Sequence, residues 1–270
     1  MRGYFSEGRG FLERALANSG GVNPSLRAKA LNRVGILAEA QGDYATATAT
    51  YGEGLSIQKS LGDNLSVASA LTNLGNVASS RGEWKTARDY YEQGLYICQE
   101  LEDQKRIAIL LMNIGIQQEY AKAQSLYEES LEIFRMRQDL GPLSAVLLNL
   151  GDLACNQGDY VSARAYLLEG LQIAEQLGEK ECIASILTTL GYTASPLGQY
   201  EQAAKLFGAA ASIRISAGFL LAPRNQSFLE ENIATVRANL GEKKFQAIWK
   251  QGEGAELSLL VSELLQNQAQ

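Results

Sequence analysis

The chain has 270 residues, 46% hydrophobic and 20% charged, with a formal net charge of −6, no histidine and three cysteines. That length admits two ordinary domains or one repeat array, and the apolar fraction suffices for a core. The lack of histidine excludes Ser–His and Cys–His nucleophile systems and most zinc sites, and the negative balance disfavours non-specific nucleic-acid binding. No run of about 18 apolar residues exists to cross a membrane. The opening MRGYFSEGRG lacks the apolar centre of a signal peptide. Cys98, Cys155 and Cys182 are scattered, form no CxxC pair and read as reduced, packed thiols of a cytoplasmic protein.

Residues 1–20 come first. Gly3-Tyr4-Phe5, Gly8, Leu12, Ala15 and Leu16 match the second half of a helical hairpin with no first half before it. An array end without its neighbour exposes apolar surface, so this segment is expected to meet a preceding part of a longer protein or a partner.

Residues 21–217 repeat. The phrases ALNRVG, ALTNLG, LLMNIG, VLLNLG and ILTTLG end at Gly35, Gly75, Gly115, Gly151 and Gly191. Each is followed by a second phrase: QGDYATA, RGEWKTA, EYAKA, QGDYVSA and LGQYEQA. A period of about 40 residues marks a repeat architecture rather than one compact active site. In the unit Ser25–Asp63, Leu26, Ala30, Leu31, Val34 and Ala38 fall at helical spacing and define a helix A. Gly42 breaks it, Asp43 caps the next helix, and helix B runs over about 44–61 until Gly62-Asp63. The same stations recur: an aromatic at Tyr44, Trp84, Tyr120, Tyr160 and Tyr200, an alanine three residues on, then Tyr51, Tyr91, Tyr127, Leu167 and Phe207. These side chains are expected in the core, with Gly and Ala letting the helices approach. The third copy is four residues short and lacks the Gly turn. Its helix A is expected to shrink to about 105–117, with a local change of curvature.

Residues 218–270 leave the period. Pro223 opens a helix closed by Gly241, EKKFQAIWKQG forms a short one, and AELSLLVSELLQ forms the last, at 255–266. Together they should cap the final apolar face.

The five copies, with their Leu, Gly, Ala and aromatic stations, resemble the tetratricopeptide repeat, with helices longer than in its commonest version. The resemblance implies an all-α, right-handed superhelix of helix pairs whose concave groove is lined by the A helices. The stretch from Ala203 to Leu264 resembles the end of the repeat region in large bacterial signal-transduction ATPases and LuxR-like regulators. It implies a sensor or interaction part of a larger regulatory protein. No GxxxxGK[ST] phosphate loop occurs in the chain. A free-standing adaptor and a self-assembling solenoid joined through the open N-terminal end are the other readings.

No enzyme and no cofactor is expected. The carboxylates fall on solvated faces, and the GEG triplets at 52–54 and 252–254 lack the strand a nucleotide site needs. The resemblance places the residue two before each repeat glycine toward the groove: Arg33, Asn73, Asn113, Asn149 and Thr189. The residue after the glycine adds Asn76, Asp152 and Tyr192, alongside Ile36 and Ile116, and Lys29 stands one turn earlier. Consecutive asparagines can donate to and accept from an extended peptide backbone without reading its sequence. Two readings stand: a ligand ladder with a basic end at Lys29 and Arg33, or asparagines bonded to a neighbouring helix. The expected partner is a protein or peptide in the groove, with a small-molecule inducer as the alternative, and neither nucleic acid nor membrane. The clamp by which some repeats of this kind hold chaperone tails needs Lys and Asn where this chain has Asn32 and Ile36, so a chaperone tail is not expected.

Overall fold

The computed structural model describes residues 2–17, 23–116, 118–218 and 223–266 (in the first and last of these stretches, side chains only from residue 6 and residue 226 onward). The Tyr4 and Phe5 side chains, assigned above to the first helix, lie outside the described residues. Among the described residues there are fourteen helices and no strand. They form two compact units, residues 1–119 and 120–270.

The first unit holds α1 (Arg2–Ala17), α2 (Pro24–Ala40), α3 (Tyr44–Leu61), α4 (Asn64–Ser80), α5 (Trp84–Glu100) and α6 (Gln104–Gly115). α2 pairs with α3 and α4 with α5, each as an A/B hairpin, and α6 packs on α5. Local chemistry sets the boundaries. The Asp43, Asp63 and Asp103 side chains accept from the backbone N–H groups of Thr46, Ser66 and Arg106 at 3.1 Å and cap α3, α4 and α6. Such caps contribute about 1 kcal/mol each. Glu83 precedes α5 without capping it, since its longer side chain does not close that ring. α1 is pinned by Arg9, whose guanidinium meets Glu13 and Asp43 at 2.7 Å and Gln41 at 2.9 Å.

The second unit holds α7 (Tyr120–Arg137), α8 (Leu140–Asn156), α9 (Tyr160–Leu177), α10 (Lys180–Ala194) and α11 (Tyr200–Ala217), with α8/α9 and α10/α11 as hairpins. Three more helices follow: α12 (Pro223–Leu240), α13 (Glu242–Glu253) and α14 (Leu257–Gln266). α13 crosses α11 almost backbone to backbone. A Cβ on Gly252 would stand 2.0 Å from the Lys205 carbonyl oxygen, and one on Gly208 2.4 Å from that of Trp249. Phe245, Leu229 and Val236 close over Phe207, while Leu260, Val261 and Leu264 of α14 join the cluster around Leu168, Leu171 and Leu187.

One contact recurs inside the hairpins. The repeat glycine of helix A lies flat against the large residue of helix B: Gly35 on Tyr51, Gly75 on Tyr91, Gly151 on Leu167 and Gly191 on Phe207. A Cβ at any of them would fall 2.3–2.5 Å from that side chain. Glycine is required here for closeness, not for backbone freedom. The large residues are at most 3% exposed, and each such burial contributes about 1.5–3 kcal/mol.

Two expectations need correction. Leu26 is exposed, and Ala28 takes the buried place on α2, because at about 100° per residue Leu26 points away from the face that carries Ala28 and Leu31. The aromatics that open the B helices are not uniformly core. Tyr44, Tyr160 and Tyr200 are half-buried, but Trp84 and Tyr120 are about half exposed. All five occupy the first helical position beside the turn, where a ring has protein on one side only, so none is fully buried.

The helix ends carry a further periodic feature. Gly62, Gly178 and Gly218 stop α3, α9 and α11 with φ of 69–75°. Glu102 and Gln138 hold the corresponding station after α5 and α7 with φ of 54° and 55°. A side chain in the left-handed region is strained, so Glu102→Gly and Gln138→Gly should each raise stability by about 0.5–1 kcal/mol, read as a higher urea midpoint. Gly75→Ala should lower it by about 1–3 kcal/mol, because the Tyr91 ring has to move.

Candidate functional site: the polar lane of the A helices

In the first unit, the polar residues of the A helices are joined to each other. The Asn73 amide of α4 donates to Asn32 Oδ1 of α2 at 2.9 Å. The Asn113 amide of α6 donates to Asn76 Oδ1 of α4 at 3.4 Å, and the same oxygen accepts from the Tyr91 hydroxyl at 2.9 Å. The Tyr51 hydroxyl donates to Glu39 Oε2 at 3.0 Å. Both tyrosines belong to B helices. Their rings slide over the repeat glycines, so the hydroxyls reach polar side chains carried by helix A. Burial, with the nearby Glu39 charge added, pushes the Tyr91 phenol up to about 12, so it stays a donor at neutral pH. Glu39 is half-buried, and burial raises its carboxyl above the ordinary value while the Tyr51 hydrogen bond lowers it. Lys29 and Arg33 are exposed.

Asparagine carries two amide hydrogens and an accepting oxygen. The interhelical bonds use one hydrogen each on Asn73 and Asn113, leaving the rest of each half-buried amide able to bond elsewhere.

In the second unit, Asp152 of α8 is the central charge. Its Oδ1 accepts from the Thr189 hydroxyl of α10 at 2.6 Å. Among the described residues it forms no ion pair. Burial lifts its carboxyl to about 6, with the Thr189 bond pulling the other way. The charge is felt by Tyr127 of α7, by Cys155 of α8, and by Cys182 and Tyr192 of α10. The Cys155 thiol, buried first and facing Asp152 second, is pushed up to about 11, so it is a poor nucleophile. All three cysteines are free thiols. Arg214 of α11 is half-buried and donates to the Thr188 hydroxyl at 2.8 Å.

The expected site residues therefore divide. Asn76 and Asn113 form one hydrogen-bonded pair and Asn73 bonds to Asn32 in another, with Arg33 and Lys29 exposed on α2. Asp152 and Thr189 form the corresponding pair in the second unit. Asn149 is half-buried on α8 with no side-chain hydrogen bond among the described residues. Tyr192 packs between Phe207, with centroids 5.6 Å apart, and Phe228 of α12, 4.9 Å away and edge-on. Glu39, Asn32 and the two tyrosine hydroxyls were missed. The signal was available: the first two copies carry Tyr where the last two carry Leu167 and Phe207, and a hydroxyl there implies a polar partner. Among the described residues no group of three His, Cys, Asp or Glu is placed to hold a metal, and no helix is long and apolar enough to cross a membrane.

The sequence profile of the tetratricopeptide repeat matches residues 26–100 and 142–216. The chain belongs to the tetratricopeptide-repeat family. Among solved structures it is similar to the apo form of RapI, at 19% identity over 94% of this chain and 89% of that one, with a TM-score of 0.66. It is also similar to a signal-transduction ATPase with a tetratricopeptide repeat sensor from Pyrococcus horikoshii, at 18% identity and a TM-score of 0.64, covering 85% of this chain and 34% of that one. A third likeness is to the Rap conjugation gene regulator of plasmid pLS20 in complex with the Phr* peptide, at 13% identity over 92% and 71% of the two chains, with a TM-score of 0.60. At these identities the likeness shows the fold. No match was found among curated proteins.

The Asp152 carboxyl makes the second unit sensitive to pH. Its folded value of about 6 lies above the ordinary carboxylate value of about 3.9, so between these the native state holds the proton that the unfolded chain releases. Its contribution therefore favours the fold as pH falls from 7 toward 4 and is lost as pH rises through about 6. Relative to wild type, Asp152→Asn should gain about 1–3 kcal/mol at pH 7.5 and little at pH 4, measured by urea unfolding at both pH values.

Proposed function

We propose that this chain is a recognition module that binds an extended peptide or protein segment along its A helices and serves as the sensor part of a regulatory protein. The observation that carries the reading is the chemistry of the lane. Side chains from successive A helices of the first unit already sit at hydrogen-bond spacing in two pairs, Asn32 with Asn73 and Asn76 with Asn113, and keep bonding capacity in reserve. An extended backbone offers alternating N–H and C=O groups that such amides match. The interhelical bonds hold the amides in place before a ligand arrives, which lowers the ordering cost of binding. The interhelical bonds match the reading in which the asparagines bond to a neighbouring helix; on the present proposal the same side chains also meet the ligand.

Support for the regulatory part comes from the named neighbours. One is a tetratricopeptide repeat sensor within a signal-transduction ATPase, and another is a gene regulator holding a peptide. Glu39 and Asp152 add a preference. Both are half-buried carboxylates without an ion pair among the described residues, so a segment with a lysine or arginine near either fits better than an acidic one.

The test is an array of immobilised peptides five to eight residues long, followed by calorimetry on the tightest binder. Replacing Asn76 and Asn113 together with alanine should weaken that binder by about tenfold or more, with helicity unchanged by circular dichroism. Equal affinity in the double variant would remove the lane from recognition.

A further inference from the structure

The two matched segments superpose station by station, Gly35 with Gly151 and Gly75 with Gly191, so α3–α4–α5 corresponds to α9–α10–α11. The channel that α9, α10 and α11 form on the B-helix side is filled. Leu260, Val261 and Leu264 of α14 share one cluster with Ile183, Leu187 and Ala209, and Ile213 packs against it. The Lys205 ammonium meets Glu263 of α14 at 2.6 Å, and Arg164 Nη2 donates to the Leu264 carbonyl at 3.4 Å. In the first unit the corresponding channel is an open cleft of ≈ 600 Å³. Val67 and Leu71 in its lining correspond to Ile183 and Leu187, and Ile97 to Ile213. Gln93 and Tyr96 replace Ala209 and Ser212 in the wall, but the apolar character of the floor, already buried at Val67 and Leu71, is kept. The charge of the wall is not: Asp89 stands where the second unit has Lys205.

We propose that this cleft docks an amphipathic helix of a partner protein, bearing a basic residue where α14 carries Glu263. Apolar residues at positions i, i+1 and i+4 of that helix would pack on Ile97 and the exposed Tyr96, above a floor of Val67 and Leu71 that is already buried, at the station Leu260, Val261 and Leu264 take in the second unit. The basic residue at i+3 meets Asp89. Glu92 adds to the negative wall, and it fixes which approach is open. Its counterpart is Gly208, over which α13 crosses with the Trp249 carbonyl 2.4 Å from a would-be Cβ. With a glutamate there no helix can cross as α13 does, so the visitor lies as α14 lies. Lys59, on the α3 side of the cleft where the second unit has Glu175, selects an acidic residue on the visitor's far edge. A second copy of this chain is a poor occupant. Its α14 would bring Glu263 against Asp89 and Glu92, and that helix's apolar face is already buried in its own unit.

The probe is a fluorescein-labelled peptide with the sequence of residues 255–266, made in its native form and with Glu263→Lys, titrated against the intact chain by fluorescence anisotropy. The Glu263→Lys peptide should bind about fivefold more tightly than the native one, and Asp89→Lys in the chain should reverse that order. Asp89 is exposed, so the variant keeps its fold, which circular dichroism checks. Displacement of the chain's own α14 would instead favour the native peptide and ignore the Asp89→Lys change. That result, equal affinities, or no saturable binding of the Glu263→Lys peptide at millimolar concentration would each overturn the proposal.

Discussion

The contact between a helix-A glycine and the large residue of its helix B governs the rest of this molecule. With a Cβ excluded at Gly35, Gly75, Gly151 and Gly191, the B-helix ring or leucine lies directly on the A-helix backbone. Close packing there fills the hairpin interior without a void, and a void or an extra methyl in such an interior costs on the order of 1–3 kcal/mol. The contact also sets chemistry. Tyrosine at this station is long enough to cross helix A and deliver its hydroxyl to Glu39 or Asn76. Leucine or phenylalanine at the same station delivers nothing polar, and in the second unit the link between A helices is made without it, by Thr189 and Asp152.

On these proposals the asparagine lane and the docking cleft use different faces of the same hairpins. The A-helix side offers amides and carboxylates held at fixed spacing by their own bonds. The B-helix side offers channels with apolar floors, one of them closed by α14 and one open with a charged wall. A repeat array makes this division natural, because each copy presents the same two faces and sequence changes at a few stations alter what each face takes.

Much of this was legible from the chain alone. The period, the Asp43 cap, the glycine stations and the three final helices follow from spacing and turn chemistry, since they are local effects. What was hidden depended on neighbours. Nothing in the phrase LTNLG says that Asn73 will spend one amide hydrogen on Asn32 of the preceding helix, because that bond joins residues in different copies. The exposure of Trp84 and Tyr120 escaped for a similar reason: a recurring aromatic reads as core, yet the first turn of a helix has packing on one side only. Asp152 was expected in the groove from its station, but its raised carboxyl comes from burial, which no single segment displays.

The most direct check of the recognition lane is the position of a bound peptide in a co-crystal with the tightest array binder. The account predicts peptide backbone N–H and C=O groups within about 3.2 Å of the Asn76 or Asn113 side-chain amides. A peptide lying instead against the B helices, with both amides bonded only to their neighbours, would contradict it.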